Sequence, residues 1–342
     1  MPRVSVIIPA FNAEAVLPQA LRSIRQQSFG DWEAIVSDDA STDRTAEIAG
    51  EFGERVRVVR SQRNRGPAAA RNAGIEDSSG ELLAFLDADD YWLPEFLSEQ
   101  VRLYDRDRGE SEAAGLGIVA CDALILGEGG MARGTYRDRI PFDEPLTLPV
   151  LLKRNPIFIS ALVPRTAVEQ VGRFSPECFG TEDYDLWIRL LEVGCRVAYN
   201  PRPLAVYRLA GAGSVSGDTA RMARNTQVVY RRALERGRLS RHERRIASRE
   251  LRVQELAERL AALGRNRSSG PDPSARDLLG ILPQAIRFAL ENPRRLGPIA
   301  ARVVRGRGPI QDRILPGRDW LTLEPDSEAT ETGRGPDSGD AP

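Results

Sequence analysis

Short β-branched runs alternate with amphipathic stretches through the first part of the chain. Val4 to Ile8 is apolar except at Ser5 and stops at Pro9, as a parallel strand buried on both faces should. Asn12 then opens a helical pattern that returns Val16, Leu17, Ala20, Leu21 and Ile24 to one face. Trp32 to Ser37 predicts a second strand. Ser41 is placed to cap the helix carrying Thr45, Ile48 and Ala49, with Asp43 near its positive end. Val56 to Val59 predicts a third strand, Ala68 to Ile75 a short helix ahead of Gly80, and Leu82 to Leu86 a fourth strand. This alternation predicts βαβ units, an α/β fold and a mostly parallel sheet.

The pattern then loosens. Leu116 to Ala120 and Leu124 to Leu126 predict strands beside a turn at Gly127 to Gly130. Phe158 to Val163 reads as a strand and Thr166 to Val171 as a short helix. Asp183 to Val193 reads as a helix with Leu186, Trp187, Leu190 and Leu191 inward, and Val197 to Tyr199 and Leu204 to Tyr207 as short strands. A globular domain over 1–217 is expected to close there. An arginine-rich helical extension over 218–316 contains one long pattern from Thr219 to Leu263, a polar linker from Arg265 to Ser274, and apolar stretches from Leu278 to Val304. The tail over 317–342 is acidic and poor in apolar residues, and is expected to be disordered.

Composition narrows the chemistry. A chain of 342 residues can bury a large core. Its formal net charge of −1 offers no basic field for nucleic acid. Lys153 is the only lysine among 48 basic residues, which reads as coding bias toward arginine. Cys121, Cys178 and Cys195 form no CxxC pair and His242 is the sole histidine, so a zinc site is not expected. No apolar run approaches the ~20 residues needed to span a bilayer, and a soluble, cytoplasmic protein is expected.

Two acidic clusters carry the functional signal: Asp38-Asp39 after the second strand, and Asp87-Ala88-Asp89-Asp90 after the fourth. In an open α/β sheet the carboxyl ends of the strands line the ligand crevice, so both clusters should face one pocket. Converging carboxylates repel unless a cation or ligand donors compensate them. A divalent metal holding a nucleotide diphosphate meets that demand with oxygen ligands alone. A buried structural network is the plainer reading, but carboxylates are poor core material and nearby cations are too few to pair them all.

The blocks Val4 to Asn12, Ser37 to Asp43, Gly66 to Gly74, Asp87 to Asp90 and Glu182 to Trp187 together resemble the family-2 glycosyltransferases of the GT-A fold, over roughly residues 3–216. The resemblance implies a Rossmann-like, mostly parallel mixed sheet. It implies inverting, metal-dependent transfer of a sugar from a nucleotide-diphosphate donor to an acceptor hydroxyl, with Mg²⁺ or Mn²⁺. It sets Pro9, Ala10, Phe11, Asn12 and Glu14 against the nucleotide. Asp39 would accept from the base N–H, which would select a pyrimidine such as uracil, hence a UDP-sugar. Arg71 would reach the diphosphate, with a solvated helix arginine as the alternative. Asp87 is assigned to the donor ribose or sugar and Asp89 to the metal, with Asp90 pointing elsewhere. Asp183 is the candidate general base, held ionised by the start of its helix, and Glu182 is its alternative.

One block departs from the family. A Tyr-Arg-x-His segment is common there, and Tyr207-Arg208-Leu209-Ala210 has alanine at the last place, so either the metal would be held more loosely or Arg208 would neutralise phosphate instead. The expected setting is cell-envelope or exopolysaccharide assembly, with a glycan or lipid-linked acceptor. The C-terminal helices could touch the inner face of the membrane, although a packed apolar stripe under a solvated face is the plainer expectation. The rival functions are a degenerate sugar-nucleotide-binding or membrane-surface scaffold and a nucleotidyltransferase. The latter would be expected to carry a Gly-rich loop where Pro9-Ala10-Phe11-Asn12 stands.

Overall fold

The computed structural model of the chain describes residues 1–108, 115–127, 129–209 and 219–269. Its first part alternates β1 (Val4–Ala10), α1 (Leu17–Arg25), β2 (Trp32–Asp38), α2 (Thr45–Gly50), β3 (Val56–Arg60), α3 (Pro67–Asp77) and β4 (Leu82–Phe85). Next come β5 (Tyr91–Trp92), α4 (Phe96–Asp107), β6 (Leu116–Gly127), β7 (Gly130–Thr135), α5 (Tyr136–Arg139) and α6 (Leu148–Leu151). The described chain continues through β8 (Leu162–Pro164), α7 (Arg165–Val171), α8 (Glu182–Glu192), β9 (Arg196–Arg208), α9 (Thr219–Glu235) and α10 (Arg241–Ser269).

The strands form one mixed sheet in the order β3-β2-β1-β4-β8-β6-β9-β5, with β7 paired to β6. β1 to β4 run parallel, as the crossover helices require. β8 is antiparallel to both β4 and β6, and inverts the direction at the sheet's middle. Along β1, Val4, Val6 and Ile8 enter one core with Leu17, Leu21 and Phe96, whereas Ile7 enters the other with Ile75 and Trp187. Both faces are therefore covered, which is why this strand reads as an almost unbroken apolar run.

Several boundaries differ from the sequence reading. β6 and β9 are each continuous, with register shifts where Asp122 meets Pro203, so each predicted pair of short strands is one long irregular strand. Only the end of the predicted Phe158 to Val163 strand pairs in the sheet. α1 begins at Leu17, because Asn12 sits at φ 49° and its side chain accepts from Thr42 N at 2.9 Å. Ser41 accepts from Asn12 N at 2.9 Å, and it is Asp43 that accepts from Thr45 N at 3.0 Å.

The long C-terminal pattern is two helices. Gly237 has φ 72°, and Ser240 with Glu243 forms reciprocal side-chain to backbone bonds at 2.8 and 3.3 Å that start α10. α10 runs to Ser269, through half of the expected linker; the remaining linker, Leu278 to Val304 and the acidic tail lie outside the described residues. Val229, Tyr230 and Ala233 of α9 and Ala247 of α10 join the core beside α8. Arg224 pairs with Glu258 at 2.8 Å and Arg231 with Glu255 at 3.1 Å across the hairpin. Among the described residues no helix is long and apolar enough to cross a membrane.

Gly80 sets how closely α3 hands the chain to β4. A Cβ there would lie 2.7 Å from Ser5 N and 2.9 Å from the Val4 carbonyl carbon, both backbone atoms that cannot rotate away. Gly80→Ala is expected to cost about 1–3 kcal/mol, read as a lowered urea midpoint at unchanged slope; an unaltered midpoint would show that β1 yields.

Candidate active site

The strand ends converge as their carboxylates suggested. A cleft of about 990 Å³ opens there and is lined by Pro9, Ala10, Phe11 and Asn12 from the end of β1, Asp39 from β2, and Asp87, Asp89 and Asp90 beyond β4. Arg71 of α3 and Glu182 and Asp183 of α8 close it from the far side. Glu14 does not line it. That residue is exposed, and its Oε2 accepts from Arg44 N at 3.0 Å, so it braces the β2–α2 turn and leaves the expected nucleotide contact without support.

Two non-glycine residues at positive φ, Asn12 at 49° and Ala40 at 64°, end β1 and β2. The loops are laced together: Asp39 N donates to Ala10 O at 2.8 Å and Ala13 N to Thr45 Oγ1 at 2.8 Å. Holding short loops in this conformation is how the backbone of Pro9 to Asn12 is fixed against the cleft. Phe11 stays 49 % exposed, an apolar surface kept in water beside a pocket.

The paired acids of β2 divide their work. Asp38 is fully buried, accepts from Ser41 N at 3.0 Å and pairs with Arg60 at 3.1 Å. It braces the loop. Asp39 is 3 % exposed; its Oδ2 accepts from Arg65 N at 2.9 Å and Gly66 N at 2.7 Å, while its Oδ1 is buried without a partner. A buried acceptor left open beside a cleft is costly unless a ligand donor meets it.

Asp87, Asp89 and Asp90 each offer an oxygen within 4.8 Å of the others. Burial, then the charge of Asp87, pushes Asp89 up to about 6. Burial, then Asp89 and Asp87, holds Asp90 well above the usual carboxylate range. Asp90 thus belongs to the cluster, contrary to the expectation that it points elsewhere, and it also accepts from Arg208 N at 2.8 Å, tying the cluster to β9. Two sequential residues share the site because the chain turns here, with Asp90 N donating to Asp87 O at 3.1 Å, and does not remain extended. Oxygen donors this close, whose charged forms are disfavoured first by burial and then by mutual repulsion, fit a hard divalent cation.

Arg71 is neither a solvated helix arginine nor free to turn wholly toward a ligand. It is 3 % exposed, bonds Asp87 at 2.6 Å and Glu182 at 2.5 Å, and lies 5.4 Å from the Phe174 ring centroid. Burial works against its charge, but Asp87 and Glu182 hold the proton more firmly than water would. Asp87 is consequently engaged by Arg71 as well as facing the cleft. The second oxygen of Glu182 is buried and unpartnered.

Asp183 is half-buried, accepts from Tyr184 N at 2.6 Å, and has Asn155 Nδ2 at 3.3 Å. Burial, then the neighbouring Glu182 charge, pushes it up to about 7. The helix start does not keep it in the ordinary carboxylate range, because desolvation outweighs a dipole effect of about 1 kcal/mol. A group titrating there is a competent base near neutral pH.

Residues far apart in sequence complete the cleft. Arg208 donates to Asp89 O at 2.9 Å and to Gln19 Oε1 at 2.8 Å, so it rigidifies the acidic loop from the side where the family often carries histidine; Ala210 itself lies outside the described residues. Tyr136 and Tyr207, with ring centroids 5.6 Å apart, line the cleft below the acids. Phe179, 42 % exposed, stands on the other wall against Gly66. Tyr207 opens the Tyr-Arg-x-His-like block, but no local motif marks Tyr136 or Phe179. Phe179 is distinguished only by exposure, which a sequence does not display.

Comparison with known proteins agrees with this geometry. The family described as Glycosyl transferase family 2 matches residues 5–117. An uncharacterized glycosyltransferase of Haemophilus influenzae is 40% identical over 239 residues, 67% of this chain and 88% of that protein. The GalNAc(5)-diNAcBac-PP-undecaprenol beta-1,3-glucosyltransferase of Campylobacter jejuni is 29% identical over 253 residues, 72% of this chain and 77% of its own length. Among solved structures, Staphylococcus aureus TarS 1-349 in complex with UDP-GlcNAc superposes with a TM-score of 0.61 at 17% identity, covering 89% of each chain. The Pyrobaculum calidifontis mannosyltransferase PcManGT in complex with GDP-Man and Mn²⁺ gives 0.57 at 23%, covering 90% of this chain and 88% of its own. Those two likenesses establish the fold, a GT-A sheet with its flanking helices. Sheet order, acidic strand ends and extended sequence identity agree: the chain belongs to glycosyltransferase family 2.

Proposed function

We propose that this transferase is inverting and metal-dependent, and moves a sugar from a UDP-sugar to a hydroxyl of a lipid-linked glycan during cell-envelope polysaccharide assembly. One observation carries the reading: Asp39 Oδ1, the Asp87–Asp89–Asp90 cluster and Asp183 all address a single cleft. The Campylobacter relative, a beta-1,3-glucosyltransferase named for GalNAc(5)-diNAcBac-PP-undecaprenol, supports the acceptor class. Such an acceptor brings the enzyme to the membrane face as a peripheral protein.

In this reading the base rests against Pro9 to Asn12, and its N–H meets the open Asp39 oxygen. That pairing favours uracil, whose N3–H is a donor. Asp89 is the principal ligand for Mg²⁺ or Mn²⁺, with Asp87 and Asp90 beside it, and the bound ion would carry charge that develops on the departing diphosphate. Arg71 holds Asp87 toward the donor and Glu182 toward the base helix. Asp183 takes the proton from the acceptor hydroxyl as that oxygen attacks the anomeric carbon on the face opposite the diphosphate, so the configuration inverts. Asn155 orients the Asp183 carboxylate meanwhile.

Three outcomes test this. With UDP-sugar and Mn²⁺, Asp89→Ala should lower turnover by about three orders of magnitude; unchanged turnover would remove the metal assignment. Asp183→Asn should keep donor affinity while turnover falls by on the order of 10²–10⁴-fold. Because the base must be deprotonated, wild-type turnover should fall as pH drops below about 7, with a limb that this variant lacks. A variant that loses donor binding equally would argue for a structural role instead. Arg71→Met strips buried Glu182 and half-buried Asp87 of their cation, and should cost about 3–5 kcal/mol in urea unfolding at pH 8; a smaller loss would mean the acids are compensated elsewhere.

A further inference from the structure

The cleft does not end at the sheet. Met222, Thr226 and Tyr230 of α9 and Glu250, Val253 and Gln254 of α10 line the same cavity as the acidic strand ends. The hairpin is fixed in that place. The Tyr230 hydroxyl lies 3.1 Å from that of Tyr184 and donates to Leu152 O at 3.1 Å, and Thr181 Oγ1 donates to Asn225 O at 3.4 Å. These contacts grip α8, which begins with Glu182 and Asp183, and the end of α6. The wall is consequently positioned against Asp183 and is separated in sequence from every strand end.

Its chemistry suits a saccharide. Met222 and Val253 present apolar surface, while the half-buried Thr226 and Gln254 offer hydroxyl and amide groups. A pyranose presents the complementary combination, a C–H face and a rim of hydroxyls. Two cations belong to the same side, Lys153 and Arg154. Lys153 follows α6, is exposed, lines the cleft, and lies two residues before Asn155, whose amide contacts Asp183. Arg71, Arg208 and Arg154 are held by the protein's own acceptors, Arg154 by Pro141 O at 3.2 Å, whereas Lys153 takes part in no ion pair among the described residues. An acidic cavity repels an anionic ligand unless such a charge is available to it. The compact ammonium is a point-charge partner for phosphate, and it is the single lysine in a chain that otherwise uses arginine.

We propose that the α9–α10 hairpin and Lys153 form the acceptor subsite, which takes a saccharide end carrying a phosphate-type anion: the hairpin holds the sugar and Lys153 the anion. The inference rests on the reading of Asp183 as the base, and extends it by assigning the acceptor to a helical unit beyond the family match, which ends at residue 117.

Binding of three probes tests it in the full chain: UDP with Mn²⁺, a short prenyl-diphosphate-linked N-acetylglucosamine, and the neutral octyl N-acetylglucosaminide. Met222→Trp and Thr226→Tyr should each weaken both saccharide probes about tenfold or more, and Lys153→Gln should weaken only the diphosphate probe by that factor. UDP affinity should stay within about twofold in all three. Saccharide probes that bind the wall variants as they bind wild type, or that fail to bind wild type, would overturn the hairpin assignment, as would loss of UDP binding in both wall variants. Equal effects of Lys153→Gln on charged and neutral probes would overturn the anion assignment. Wild type that binds the saccharides selectively but not UDP would leave the acceptor subsite standing and sink the donor reading.

Discussion

Carboxylates gathered at one end of a sheet repel each other, and the architecture of this cleft follows from how that repulsion is met. Part of the answer is covalent to the fold. Arg71, buried on α3, bridges Asp87 and Glu182, so one guanidinium joins the acidic loop after β4 to the first turn of α8. Backbone N–H groups answer for Asp38, Asp39 and Asp90. What remains unanswered is concentrated: the second oxygens of Asp39 and Glu182 are buried without partners, and both residues line the cavity together with the Asp87–Asp89–Asp90 cluster. A protein interior keeps such groups only where binding compensates them.

The sheet makes this gathering possible. Parallel strands deliver their carboxyl ends to the same edge; antiparallel β8 leaves the chain at the opposite edge, beside Gly80, and α7 and the segment to Thr181 bring it back so that α8 starts with Glu182 and Asp183 at the cleft. The two proposed chemical roles make different demands. A metal ligand must be within reach of the ion, as Asp89 at the cleft is, whereas a base effective near neutral pH must be desolvated, as Asp183 is. One cleft supplies both, since Asp89 and Asp183 line the same cavity.

Much of the fold was legible because β1, β2 and β4 are buried on both faces, which leaves apolar runs that no amphipathic helix imitates. The acidic strand ends were legible for the same reason, since a strand's end fixes where its next residues go. Boundaries failed where side chains reach across the chain. Asn12 and Ser41 look like helix caps locally, yet each spends its polar atoms on the neighbouring loop. The break between α9 and α10 was written as Gly237 followed by Ser240 and Glu243, a signal obscured by the continuous arginine-rich pattern around it. The burial of Arg71, the inclusion of Asp90 and the raised titration of Asp183 depend on three-dimensional neighbours and have no local signature. Nor does the C-terminal hairpin's share in the cleft, since its apolar face packs on the core and two of its arginines, Arg224 and Arg231, pair with its own glutamates.

The central claim is that the strand-end acids and Asp183 act on opposite sides of one bound sugar nucleotide. Crystals grown with Mn²⁺ and a non-transferable UDP-sugar analogue, examined by anomalous scattering at the manganese edge, test it most directly. The account predicts a manganese peak at coordinating distance from Asp89 and the diphosphate, with the Asp183 carboxylate across the anomeric carbon from the leaving oxygen. A peak remote from Asp87 to Asp90, or Asp183 on the same side as the diphosphate, would contradict it.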